Sequence, residues 1–154
     1  MGQFDAIAPT CRLLMRFDLA EFLPYQLAVA ASRASREFAA LYKREVGLSI
    51  PEWRVLAHLA QSEAVSVREI HARVDMDKAK VSRAATRLQQ AGLIEKRANP
   101  QDRRLLEMRL TEQGRSLFDR IVPIAAQFQD DLLRSLDTDA LAFRRGLLQL
   151  MDPK

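Results

Sequence analysis

Between Asp77 and Ala91 the sequence reads Asp-Lys-Ala-Lys-Val-Ser-Arg-Ala-Ala-Thr-Arg-Leu-Gln-Gln-Ala. Wound as a helix, it gathers Val81, Ala84, Ala85 and Leu88 into one apolar stripe and leaves Lys78, Lys80, Ser82, Arg83, Thr86, Arg87 and Gln90 facing out or flanking it. Phosphates attract positive charge whatever the base sequence, whereas base edges need forked or hydroxyl donors within reach. Arg83 and Arg87 stand four apart on one face. With Ser82 they suit base or near-base contacts, and Lys78 and Lys80 suit the backbone. An ordinary solvated basic helix would show the same residues.

The charge balance along the chain favours the polyanion. Residues 68–109 hold 11 Lys and Arg against 6 Asp and Glu, while the remaining sequence has 13 against 14. The positive excess is thus confined to one segment, as expected of a nucleic-acid footprint. Other chemistries lack their residues. Cys11 is the single cysteine, and with His58 and His71 it forms no zinc-spaced set, so no metal or other cofactor is expected. There is no Gly-rich phosphate loop, no Gly-x-Ser-x-Gly and no paired-carboxylate signature, so an enzyme is not expected. No apolar run reaches the length of about 20 residues that a spanning helix needs, and no secretory leader is apparent. A cytoplasmic protein without membrane partners is the expectation.

The elements around this segment follow from periodicity and caps. Phe22, Leu23, Leu27, Ala30, Ala31, Ala34, Phe38 and Leu41 recur at helical spacing, with Pro24 early and Gly47 as the stop. Ser49-Ile-Pro-Glu52 is a capping box with Pro51 at the first helical position, opening a helix to about Gln61. Ser66-Val-Arg-Glu69 is a second box, for a short helix through Val74, and Asp77 caps a third helix that Gly92 ends. A short helix, a brief connection and a polar-faced helix make a helix-turn-helix, with Ser66 at its entrance among the candidate contacts. Beyond Gly92 the pattern turns to strand at residues 93–97, turn chemistry at 99–102 and strand again at 105–110, a two-stranded hairpin. Thr111 caps a long helix to about Leu136, with a kink expected at Pro123, and Asp137 or Thr138 caps a last helix carrying Leu141, Phe143, Leu147, Leu148 and Leu150.

The fold class expected is therefore mainly α with a small β-hairpin wing, a winged helix-turn-helix flanked by N- and C-terminal dimerisation helices. Its parts are an arm and dimerisation helix over 1–47, a DNA-binding domain over 48–110 and dimerisation helices over 111–154. The flanking helices are more apolar than a small three-helix unit can cover. A symmetric homodimer would bury them, as would an intrachain bundle.

The order of Leu48-Ser-Ile-Pro-Glu-Trp-Arg-Val-Leu56, Asp77-Lys-Ala-Lys-Val-Ser-Arg83, Gly92-Leu-Ile-Glu-Lys-Arg97, Asp102-Arg-Arg104 and Leu110-Thr-Glu-Gln-Gly114 resembles the MarR family of winged-helix regulators. The resemblance covers about Phe22 to Leu117. It implies that Arg104 enters the minor groove, that Asp102 steadies it and that Arg103 meets phosphate; a narrow A·T-rich minor groove attracts arginine. It also implies a ligand-responsive DNA-binding regulator, a repressor, that binds a pseudopalindromic operator as a dimer and is released by a small aromatic or anionic effector. Such an effector, an aromatic acid or its coenzyme A thioester, would sit among Arg12, Arg16, Phe22, Tyr25, Trp53, Arg54 and His58. Core packing is the plainer role for Trp53 and Tyr25. Relatives that sense peroxides place their thiol where this chain has Tyr25, and Cys11 falls about four helical turns earlier. A thiol sensor using Cys11 and a winged helix that binds protein instead of DNA are the alternatives.

Overall fold

The computed structural model describes residues 17–62, 65–66, 69–71, 76–98 and 106–152. Along the chain run helices α1 (Leu23–Val46) and α2 (Ile50–Ala60), strand β1 (Val65–Ser66), helix α3 (Lys78–Gln90), strands β2 (Ile94–Ala98) and β3 (Leu106–Leu110), helix α4 (Glu112–Ser135), a 3-10 turn (Asp137–Asp139) and helix α5 (Ala140–Met151). Residues 69–71 are helical as well. No helix among the described residues is long and apolar enough to cross a membrane.

The chain separates into two compact units between Ala34 and Ser35, inside α1. In the first, Asp18 Oδ1 accepts the Ala20 N–H at 2.8 Å and shapes the turn that leads into α1. Gln26 Nε2 donates back to the Ala20 carbonyl, and the Phe17 and Phe22 rings meet edge to face at 5.4 Å. Phe22, Leu23 and Tyr25 are exposed.

The second unit is built on one apolar core: Val55, Leu56 and Leu59 of α2, Val81, Ala84, Ala85 and Leu88 of α3, Val65, Ile94 and Met108 of the sheet, and Tyr42, Leu48, Ile70, Leu93 and Ile121 around them. Four apolar residues at helical spacing give α3 a continuous inner face, and the four are buried. In the last turns of α1 the inner face runs through Phe38, Ala39, Tyr42 and Val46, and Leu41, expected on the apolar stripe, is exposed. The bulkier aromatic takes the core because rings of Phe38 and Trp53 flank it at 4.9 and 5.6 Å.

Burial pushes the Tyr42 hydroxyl up to about 12, the nearby Arg54 guanidinium partly opposing the shift. The group therefore stays protonated, and it finds no hydrogen-bond partner among the described residues. A buried donor without a partner costs about 1–3 kcal/mol. Tyr42→Phe should accordingly be as stable as the parent or about 1 kcal/mol more stable in a denaturant titration. A loss of that size would reveal a partner for the hydroxyl.

Three local expectations are corrected. The hairpin is part of a three-stranded antiparallel sheet of order β1-β3-β2, with Val65 opposite Met108 and Ser66 opposite Glu107. A third strand shields one edge of the wing, which two strands alone would leave open. Pro51 is the second residue of α2, because the helix begins at Ile50. Neither Asp137 nor Thr138 caps the last helix: Asp137 has a positive φ of 46° and leads a 3-10 turn, so α5 begins at Ala140 with no side-chain cap. Pro123 lies inside α4 without ending it.

Candidate nucleic-acid interface

The helix that carries the basic face is fixed at both ends. Asp77 Oδ1 accepts the Lys80 N–H at 2.8 Å, and its other oxygen meets the Lys80 ammonium at 3.1 Å. At the far end Gly92 takes a φ of 70°, its N–H donates to the Gln89 carbonyl at 3.0 Å, and the Leu93 N–H donates to the Leu88 carbonyl at 2.9 Å. This is the left-handed glycine stop in its Schellman form. Between these stops Lys78, Lys80, Ser82, Arg83, Thr86, Arg87 and Gln90 are all exposed, opposite the buried stripe. Thr86 Oγ1 donates to the Ser82 carbonyl at 3.0 Å, so its hydroxyl hydrogen is used within the helix.

The Lys80 backbone N–H, then its ammonium, holds the Asp77 carboxyl below the usual carboxylate range. A depressed carboxylate adds stability that is complete above the ordinary Asp value of about 3.9 and is lost as pH falls through the lower folded value. Asp77→Ser keeps a capping oxygen that does not titrate. The parent should therefore lose more stability than this variant between about pH 5 and about pH 2, compared by denaturant midpoints. Equal losses would remove Asp77 as an acid-sensitive cap.

Two other segments carry candidate contacts. The Ser66 box is in place: Ser66 N–H donates to Glu69 Oε2 at 2.8 Å, and Ser66 Oγ accepts the Glu69 N–H at 3.2 Å. Ser66 thus spends its hydroxyl acceptor on a cap while its backbone ends β1. The wing is rooted by Thr111, whose Oγ1 donates to the Gly92 carbonyl at 2.7 Å and accepts the Gly114 N–H at 3.0 Å, while its own N–H reaches the Leu93 carbonyl at 3.1 Å. β2 and β3 pair from Ile94 opposite Leu110 to Ala98 opposite Leu106. The connection between them, with the expected turn and with Asp102, Arg103 and Arg104, lies outside the described residues.

Of the residues expected around an effector, Trp53, Arg54 and His58 lie together on α2, where with Ala57 and Gln61 they line an open hollow of about 290 Å³. Trp53 is also half in the core, stacked on Phe118 at 5.7 Å and edge-on to Phe38 at 5.4 Å. Phe22 and Tyr25 belong to the first unit, and Arg12, Arg16 and Cys11 lie outside the described residues.

Two positions carry more than the sequence suggested. Glu52 closes the Ser49 box and also lies 3.9 Å from Arg87 of α3. Gly114 packs its bare Cα against the Leu93 backbone, where a Cβ would come within 2.0 Å of the carbonyl oxygen. The box was a visible signal for the first; nothing local marks the second.

A model described as MarR family matches residues 46–105. The HTH-type transcriptional repressor IacR of Pseudomonas putida is 26% identical over 111 residues, which make up 72% of this chain and 66% of that protein. Across the first curated relatives the match spans 62–66% of their length. Among solved structures, the MarR family transcriptional regulator SPO1453 from Silicibacter pomeroyi DSS-3 superposes with a TM-score of 0.74 at 31% identity, over 88% of this chain and 99% of that one. Bordetella bronchiseptica BpsR, whose DNA binding is regulated by 6-hydroxynicotinic acid, shares the fold with a TM-score of 0.79 at 24% identity, over 90% and 99%.

Proposed function

The chain belongs to the MarR family of winged-helix transcriptional regulators, which are not enzymes, and from that premise we propose that it is a cytoplasmic repressor that binds a pseudopalindromic operator as a homodimer. The observation that carries this is α3: a helix capped at both ends, apolar and buried on one side, with Lys78, Lys80, Arg83 and Arg87 exposed on the other. In the proposed complex Arg83, Arg87 and Ser82 face base edges, Lys78, Lys80, Thr86 and Ser66 serve the backbone, and the wing adds Arg104 in the minor groove with Asp102 and Arg103 beside it. The domain division at 1–47, 48–110 and 111–154 belongs to this reading. Dimerisation is supported by the apolar side chains that α4 and α5 leave exposed in the single chain, among them Val122, Leu132, Leu141, Leu148 and Leu150.

The repressor's effector is a small aromatic or anionic molecule, an aromatic acid or its thioester, received near Trp53, Arg54 and His58. The hollow on α2 supports this, and so does the regulation of BpsR by an aromatic acid. A switch of this kind requires different affinities of the effector for the DNA-competent and released states.

The test is duplex binding at rising salt. Each phosphate neutralised adds about 0.9 to the slope of log affinity against log salt, so several contacts give a steep fall. A flat response would overturn DNA binding. In parallel, aromatic acids and their thioesters that raise the melting temperature should also release the duplex, since a ligand of the native state stabilises it. Stabilisation without release would overturn the effector assignment and leave DNA binding standing.

A further inference from the structure

The box that starts α2 also faces α3. Glu52 Oε2 accepts the Ser49 N–H at 2.7 Å and the Ser49 Oγ–H at 2.6 Å, so the carboxylate is held from behind by its own helix cap. Its other oxygen, Oε1, lies 3.9 Å from Arg87 Nη1. The Glu52 side chain is 12% exposed and that of Arg87 is 68% exposed. The acid is therefore the fixed member of the pair and the arginine the one that can move. Around them Ser49, Pro51, Lys80, Arg83 and Ala84 complete a hollow of about 190 Å³ between the start of α2 and the outer face of α3. Lys80 already has an acid of its own in Asp77, at 3.1 Å.

An exposed arginine on a recognition helix has two uses. Swung outward, it meets any phosphate and favours all sequences alike; held in one orientation, its planar fork can match a guanine edge. A fixed carboxylate beside the guanidinium selects among its rotamers and disfavours its approach to a phosphate-only position. We propose that Glu52 is a positioning residue that holds Arg87 for base reading, so that it raises sequence preference while lowering affinity for random duplex. This rests on the reading that α3 contacts DNA bases.

The experiment uses the full chain and two probes: a duplex selected by the parent protein from a random library, and a scrambled duplex of the same length and composition. The measured quantity is the ratio of affinities for the two at one salt concentration, in the parent, Glu52→Gln, Arg87→Ala and the double variant. Glutamine can still accept the Ser49 N–H, so the cap survives while the charge is removed. Glu52→Gln should lower the ratio at least about twofold, with tighter binding to the scrambled duplex, and should lower it no further once Arg87 is alanine. A change of the same factor on both duplexes, or an equal fall in the Arg87→Ala background, would overturn the proposal and leave base reading by α3 intact. If Arg87→Ala itself leaves the ratio unchanged, base reading at this residue fails, and the proposal falls with it. Arg87→Lys tests the same geometry without touching the cap: it keeps the charge and loses the fork, so the ratio should fall while the salt slope stays. An unchanged ratio in that variant would also overturn the positioning role.

Discussion

Gly114→Ala should destabilise the protein by about 3 kcal/mol, the upper end of overpacking costs and a large share of the 5–15 kcal/mol typical of a whole domain. Its Cβ would stand 2.0 Å from the Leu93 carbonyl oxygen and 3.0 Å from the carbonyl carbon. Backbone is the obstacle, so no side chain can turn aside. Nor can the Leu93 peptide yield cheaply. Its N–H ends α3 on the Leu88 carbonyl, and its carbonyl accepts the Thr111 N–H where α4 begins. Relief of the clash would loosen the stop of the recognition helix, the root of the wing or the cap of α4. Urea titration of the purified variant measures the effect, and a stability within about 0.5 kcal/mol of the parent would contradict this packing. Gly146→Ala is the matched control. A Cβ there meets nothing within 4 Å, and a glycine inside α5 costs conformational entropy, so this change should be neutral or stabilising by about 0.5–1 kcal/mol.

The largest expected effect on DNA binding is that of Arg104→Ala. In the proposed complex this side chain occupies the minor groove, where narrow A·T-rich sequence concentrates negative potential. Loss of such an arginine costs about 1–3 kcal/mol, or roughly five- to more than a hundredfold in affinity. The role assigned to Arg104 is contact with DNA, so the melting temperature of the free protein should be unchanged. Fluorescence titration of a selected duplex measures the affinity. The parent's affinity in the variant would remove the wing arginine from the interface, whatever α3 does.

Some elements are legible in the sequence and others are not. The recognition helix is legible because its signals are local: Asp77 caps, Gly92 stops, and Val81, Ala84, Ala85 and Leu88 repeat at helical spacing. Both Ser-x-x-Glu boxes read correctly for the same reason. What fails depends on partners distant in sequence. Val65 and Ser66 become a strand because β3 lies beside them, and two residues carry no periodicity of their own. Leu41 and Tyr42 are both plausible inner-face residues on a helical wheel, and only the neighbouring rings decide between them. Gly114 looks like a weak spot in a helix until Leu93 is placed against it. The last helix misreads because three consecutive positions, Asp137 to Asp139, all have capping chemistry, and the left-handed backbone at Asp137 shifts the start. Of the candidate site, the helix face was legible from composition and spacing, whereas the second role of Glu52 needed α3 in place beside α2.

In the proposed complex two copies of this chain read duplex DNA with α3. Selection from a random duplex library by the 154-residue chain, followed by sequencing, puts this to the test. Enrichment of two inverted half-sites with centres one helical turn, about 10 base pairs, apart is expected, with loss of preference at one position of each half-site when Arg87→Ala repeats the selection. Failure to enrich any sequence, or one half-site without its inverted mate, would contradict it.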